Sequence, residues 1–284
     1  MHEDATYKTA LAIAARRLKS AGMAHGARDA RHLMQHVSGL TAAELIRDEG
    51  DEIPARTRAA FFDLVERLAV GEPFEHLTGE AHFYGLDFRI TKDTLIPRAD
   101  SEVVVDEALA RLPLGHPPSI ADLGTGSGCL LAALLANHPG ARGLGIERSK
   151  RAAEVAYSNM ERLGLSDRAV IRCRSWEDWM GWDEVDLVIS NPPYIASDVI
   201  PTLDASVRSF EPHSALDGGR DGLDAYRSII DLAAAHMKPG AWLVFEIGFD
   251  QRAAVTALLD KAGFSAISCG QDHGQRDRVV SARR

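Results

Sequence analysis

Asp122-Leu123-Gly124-Thr125-Gly126-Ser127-Gly128 is the stretch from which the rest of the chain is read. It joins an apolar run, Ser119–Leu123, to a second one, Cys129–Asn137. An apolar run that ends in alternating glycines predicts a strand, a tight turn and a helix. Glycines there let the backbone approach a ligand closely, and the helix N-terminus supplies N–H donors. Glu147 ends the next expected strand, 23 residues after Gly124. An acid at that place accepts hydrogen bonds from a ribose diol. The spacing is G-x-G-x-G rather than the G-x-G-x-x-G of a dinucleotide loop, and the acid Asp122 directly precedes it.

Outward from this loop the chain alternates. Strands are expected at 119–123, 142–146, 169–173, 185–190 and 241–247, and helices at 129–137, 149–163, 223–237 and 251–262. Two strands, 265–269 and 278–282, close the chain without a helix between them. Strand–helix alternation predicts an α/β fold, a mostly parallel sheet with helices on both faces, here with an antiparallel pair at one edge. Before residue 72 everything reads as helix: 7–18, 29–40 and 55–70 carry apolar residues at helical spacing. Thr41 and Glu44 have capping-box spacing and open a short helix through Arg47. Gly71 and Pro73 stop the bundle. From 74 to 96 the pattern is extended, with a hairpin turn at Gly85. Asp100 or Ser101 is expected to cap a helix over 102–112. The domains so read are a helical one at 1–72, a linker with a hairpin at 73–98, and the sheet domain at 99–284.

Asp186-Leu187-Val188-Ile189-Ser190-Asn191-Pro192-Pro193-Tyr194 carries the chemistry. An apolar strand runs straight into two prolines, which stiffen the backbone and remove two N–H groups. Acceptors remain: the Asn191 side-chain oxygen and the Pro192 carbonyl. They suit a planar NH2 group, one oxygen for each hydrogen. Tyr194 can lie against the flat group that bears it. Together with the glycine loop 67 residues upstream, the combination is similar to the S-adenosylmethionine loop and reaction motif of class I methyltransferases. A delocalised nitrogen held by both hydrogens and aimed at a sulfonium methyl needs positioning more than a base. Neither a metal nor a covalent enzyme intermediate is expected. Adenine, guanine, cytosine and glutamine all carry such an amine, and the motif alone does not choose among them.

Further stretches resemble the HemK/PrmC-type glutamine methyltransferases, which modify peptide chain release factors. These are Gly71-Glu72-Pro73 with His76-Leu77-Thr78-Gly79 and Phe83; Leu95-Ile96-Pro97-Arg98-Ala99-Asp100-Ser101-Glu102; Val207-Arg208-Ser209-Phe210-Glu211-Pro212; Glu246-Ile247-Gly248; and Asp272-His273-Gly274 with Arg278. The resemblance implies an N-terminal helical domain that helps hold the release factor. It implies a Rossmann-like domain that methylates the glutamine amide of the factor's Gly-Gly-Gln loop. Asp122, Gly124, Thr125, Gly126 and Gly128 would surround the cofactor, with Glu147 on its ribose, Trp176 near its adenine and Asn191 beside it. Asn191, Pro192 and Tyr194 would form the catalytic set. Pro193, Arg98 and Glu211 would join them on the substrate side. Arg98 and Glu102 also read as an ion pair beside a helix start, which is scaffold. Ala99, Ser101 and Ser175 depart from the family pattern; Ser175 stands where many relatives carry an acid.

The 284 residues hold 32 Lys and Arg against 41 Asp and Glu, a net charge of −9. That argues against affinity built on phosphate contacts, and no direct nucleic-acid binding is expected. The longest apolar run, 129–136, falls far short of the ~20 residues of a membrane span. The short apolar stretch at 11–15 is no signal-peptide core. Cys129, Cys173 and Cys269 show no paired spacing, which fits a reducing cytoplasm. Trp176, Trp179 and Trp182 recur every third residue and read as core and pocket rather than as a base-stacking platform. His32 and His36 lack a third partner for a metal. The expected protein is monomeric. A ribosomal-protein glutamine methyltransferase, a nucleic-acid amine methyltransferase and a cofactor-binding protein without activity are the rival readings.

Overall fold

The computed structural model describes residues 6–284, so readings that rest on residues 1–5 lie outside it. The chain divides into two compact units at Gly79/Glu80.

The first unit is helical: α1 (Tyr7–Ser20), α2 (Gly26–Ser38), α3 (Ala42–Arg47), α4 (Ala55–Ala69) and α5 (Phe74–Thr78). The expected capping box at Thr41 and Glu44 is present in full. Leu18, Leu33, Met34 and Phe61 are fully buried and form the core with Leu77. Helix α5 is a correction, since 74–78 was read as extended. Pro73 precedes its first turn, and Gly79 ends it in the left-handed conformation at φ +74°. Leu77 buries against the bundle, so tertiary packing selects a helix too short to register as a period.

The second unit opens with a hairpin, β1 (Glu80–Phe83) and β2 (Leu86–Arg89). Its two-residue turn has φ +50° at Tyr84 and +77° at Gly85, the geometry that matches strand twist. Tyr84 tolerates it because its N–H donates to Glu102 Oε1 at 2.9 Å and its hydroxyl to Asp106 Oδ1 at 2.6 Å. Glu102 therefore secures the hairpin and is not the partner of Arg98. A short 3-10 turn, Ala99–Ser101, leads into α6 (Glu102–Arg111), and neither Asp100 nor Ser101 caps it through a side chain.

Then follow β3 (Ser119–Leu123), α7 (Cys129–Asn137), β4 (Arg142–Glu147), α8 (Lys150–Arg162), β5 (Ala169–Cys173), β6 (Leu187–Ser190), α9 (Ala205–Phe210), α10 (His213–Leu216), α11 (Asp224–His236), β7 (Trp242–Glu246), α12 (Arg252–Lys261), β8 (Ser265–Gln271) and β9 (Asp277–Arg283). The sheet order is β5-β4-β3-β6-β7-β9-β8. The first five strands are parallel, and β9 inserts antiparallel between β7 and the edge strand β8. Strands β3 and β6 are buried almost throughout, as parallel strands covered on both faces must be. One face packs on the hairpin, α6 and α7. The other packs on α11, α12, Trp179 and Trp182. No helix among the described residues is long and apolar enough to cross a membrane.

Candidate active site

Strands β4, β3 and β6 are neighbours, so Glu147, the glycine loop and Asn191 emerge side by side at their C-terminal ends. The chain diverges here, from β3 to β4 on one side and to β6 on the other. That is where open α/β sheets leave a crevice for a ligand. A cavity of about 950 Å³, counting its open mouth, fills this place.

The glycine loop wraps inward. The N–H groups of Gly124 and Thr125 both donate to Ile146 O, at 2.8 and 3.1 Å. Gly126 N donates to Glu147 Oε2 at 3.1 Å, and Ser149 N to its Oε1 at 2.8 Å. The first loop amides thus tie the loop to β4. Gly124 and Gly126 have φ of +71° and +56°, and a Cβ on Gly124 would point at the Trp176 ring, 3.7 Å away. Gly128 does not line the cavity. It precedes α7 at φ +81°, where a Cβ would stand 2.7 Å from Met160 Cε.

Asp122 is buried, and its Oδ2 accepts from the Thr125 hydroxyl at 2.6 Å. Its Oδ1 has no hydrogen-bond partner among the described residues. Burial lifts its pKa to about 7, opposed by the Thr125 hydroxyl, reinforced by the charge of Glu147 and opposed again by the nearby Leu131 N–H. An acid that lines a cavity with one oxygen unpaired has an acceptor free for a cationic or N–H-bearing group. Trp176 forms another wall, its indole N–H donating to Ser228 Oγ at 3.1 Å. Ser175 Oγ accepts from Glu177 N and donates to Glu177 Oε2 at 3.0 Å, so an acid stands two residues beyond Ser175. Buried Asn159 went unread in the sequence. Its amide donates to Ser127 O and Arg89 O and accepts from Arg89 N, joining the glycine loop to the hairpin.

Asn191 and Pro193 line the cavity; Pro192 is buried and Tyr194 half-buried, and neither reaches its wall. The Tyr194 ring packs on the core, and its hydroxyl points at Glu246 Oε1 across a long 3.5 Å. Burial raises the Tyr194 hydroxyl, and the Glu246 charge adds to it. Glu246, buried in β7, is likewise raised by burial to about 7, against the pull of the Ser101 hydroxyl and Arg278. It entered the sequence reading only inside a resembling stretch, because an acid at a strand end carries no periodic signal.

Arg98 lines the cavity and pairs with buried Glu211, 113 residues away. This corrects the expected pairing with Glu102. Glu211 itself is not on the cavity wall; the residues after it, Pro212, Ser214 and Ala215, are. The Arg98–Glu211 pair thus secures the segment that closes one side of the cavity.

A seven-stranded sheet of this order, with a glycine loop after β3, an acid ending β4 and Asn-Pro-Pro-Tyr ending β6, defines a class I methyltransferase. Solved structures share the fold. The hMettl16 catalytic domain, solved in complex with the MAT2A 3'UTR hairpin 6, is 17% identical with a TM-score of 0.56, covering 78% of this chain and 82% of that one. The human methyltransferase 10 domain containing protein is 19% identical with a TM-score of 0.51, covering 70% and 90%. Residues 9–79 match the PrmC N-terminal domain and residues 104–205 the methyltransferase small domain. The release factor glutamine methyltransferase of Caulobacter vibrioides is 42% identical over 264 residues, 93% of this chain and 91% of the relative. That of Cereibacter sphaeroides is 42% identical over 274 residues, 96% and 97%. The chain belongs to the release factor glutamine methyltransferase family.

Proposed function

We propose that the protein methylates the side-chain amide nitrogen of the glutamine in the Gly-Gly-Gln motif of peptide chain release factors, with S-adenosylmethionine as donor. The observation that carries the substrate is the likeness to release factor glutamine methyltransferases over more than nine-tenths of the chain, helical unit included, and the Asn191–Tyr194 turn beside the glycine loop, at the ends of adjacent strands, is the site that fits it. The cavity's donor set suits the cofactor. Glu147 keeps free lone pairs for ribose hydroxyls. Asp122 offers an oxygen toward the amino-acid end, and Trp176 a flat wall for a base. When bound, the cofactor supplies an electrophilic methyl group.

The protein's own part is to hold the nucleophile. The Asn191 side-chain oxygen, on the cavity wall, accepts one amide hydrogen, and the Pro192 carbonyl, set behind it in the same turn, would take the other once the substrate is seated, which fixes the plane of the NH2 group. Those acceptors stabilise the positive charge that develops on nitrogen. The two prolines keep the turn from relaxing toward water. Arg98 and Pro193 stand on the cavity wall where a substrate loop would lie. The helical unit of the chain takes part in gripping the folded factor, which is the protein partner. The enzyme works as a monomer in the cytoplasm.

The test is transfer of labelled methyl into three substrates side by side: a release factor, the same factor with the Gly-Gly-Gln glutamine replaced, and a ribosomal protein fraction. Label in the intact factor only is the expected outcome. Label in the ribosomal fraction moves the substrate there, and no label in any of the three overturns the amide reading.

A further inference from the structure

The reaction turn has two prolines and so lacks two of the N–H groups that could pin it. Its last carbonyl, Tyr194 O, accepts from the side-chain amide of Gln251 at 2.9 Å. Gln251 precedes α12, lies 57 residues from Tyr194 and does not line the cavity. Its Nε2 also donates to Gly222 O at 3.1 Å. Its Oε1 accepts from Gly248 N at 3.0 Å and lies 3.3 Å from the Tyr226 hydroxyl, whose one proton goes chiefly to Glu246 O at 2.8 Å. Both donors of the carboxamide are used, and its oxygen is held by the Gly248 N–H. The orientation of the amide follows, since a flip would set its oxygen against two carbonyls. No carboxylate or hydrocarbon of the same size can replace it.

The surroundings are shaped to this contact. Gly222 has φ +73°, and a Cβ there would stand 2.3 Å from Tyr194 O and 2.8 Å from Gln251 Nε2. A Cβ on Gly218 would stand 2.7 Å from Pro193 O. The turn is then zipped to this glycine segment by Ile195 N to Leu216 O, Gly218 N to Ile195 O and Ser197 N to Gly219 O, at 2.9–3.0 Å. The other end of Tyr194, its hydroxyl, rests on Glu246, whose backbone carbonyl accepts from the same Tyr226 hydroxyl at 2.8 Å.

We propose that Gln251 is a positioning residue for methyl transfer: by holding Tyr194 O and Gly222 O together it fixes the register in which Asn191 and Pro192 present their oxygens. The proposal rests on the function given above. It acts through the turn and touches neither cofactor nor substrate.

Two variants test it. Gln251→Glu keeps the shape and loses both donors; Gln251→Met loses donors and acceptors. Each is followed by steady-state methyl transfer, by cofactor titration through tryptophan fluorescence, and by hydrogen exchange of residues 194–197. A nucleophile misplaced by about 1 Å costs on the order of 100-fold in rate. The expected result is therefore a kcat lower by about that factor, with the cofactor Kd within about twofold of wild type. Exchange at 194–197 should quicken by about tenfold while the central strands keep their protection. A wild-type kcat in Gln251→Glu overturns the proposal, as does a parallel loss of kcat and cofactor affinity in both variants. Unchanged exchange at 194–197 overturns it as well. The exchange needs no acceptor substrate. A wild-type chain that labels no release factor therefore defeats the functional reading, and the clamp is still decided by exchange.

Discussion

The glycine loop and the Asn-Pro-Pro-Tyr turn leave neighbouring strands and face one cavity, yet they are held in opposite ways. The first uses its own amides: Gly124, Thr125 and Gly126 donate to the adjacent end of β4, to Ile146 and Glu147. The second has surrendered two amides to proline, so carbonyl and side-chain contacts with remote segments must hold it, through Gln251, Glu246 and the glycine segment 218–222. A loop that donates can be built from two adjacent strands. A loop that must offer its oxygens to a substrate needs support from elsewhere in the fold.

If the two loops divide the work, variants should separate along that line. Asn191→Ala should lower methyl transfer by about 100- to 1000-fold, the cost of removing one preorganised polar contact at a reacting group. Cofactor affinity by titration should stay close to wild type. An equal fall in both quantities would break the division and make Asn191 a cofactor or folding residue. Glu147→Gln should do the reverse. Losing a charge-assisted hydrogen bond of about 1.5–3 kcal/mol predicts a cofactor Kd raised by about 10- to 150-fold, with kcat at saturating cofactor within a few-fold. Gly222→Ala tests the remote support. It forces a Cβ against Tyr194 O at a left-handed φ, which predicts a loss of about 1–3 kcal/mol in chemical denaturation and a lower kcat at unchanged cofactor Kd.

The smallest effect is one of pH. The carboxyl of Glu246 is raised from 4.5 to about 7, chiefly by burial. Between those values the folded protein holds a proton that the unfolded chain has released, so stability falls as pH rises through that window and levels off above it. Asp122, raised from 3.8 to about 7 by burial, acts in the same direction. Glu246→Gln should therefore flatten the fall in stability between about pH 4.5 and 7, read from denaturant midpoints across pH, and leave the part due to Asp122. Activity should change little, since a glutamine oxygen still accepts from the Tyr194 hydroxyl.

Much of this was legible along the chain. The alternation after Ser119 marks the parallel strands and their helices, and the capping box at Thr41 marks α3. The Trp179 and Trp182 rings lie in the core as their context suggests, and Trp176 lines the cavity. Helix α5 was illegible because five residues give no helical period, and Leu77 needs the bundle to bury it. The partner of Arg98 was misread because Glu102 is near in sequence while Glu211, 113 residues away, is near in space.

The sequence by itself determined the chemistry on offer: an acid and glycines after one strand, an acid after the next, and a proline-stiffened row of acceptors after a third. Residue type and local spacing suffice for that, because each motif is a strand end and the turn that follows it. Only the tertiary structure decided how the motifs are held. Strand order β4-β3-β6-β7 sets the three strand ends side by side and brings Glu246 and Gln251 behind Tyr194. Those pairings span more than fifty residues. They depend on which strands are neighbours, a choice made by the packing of both sheet faces and written in no local pattern.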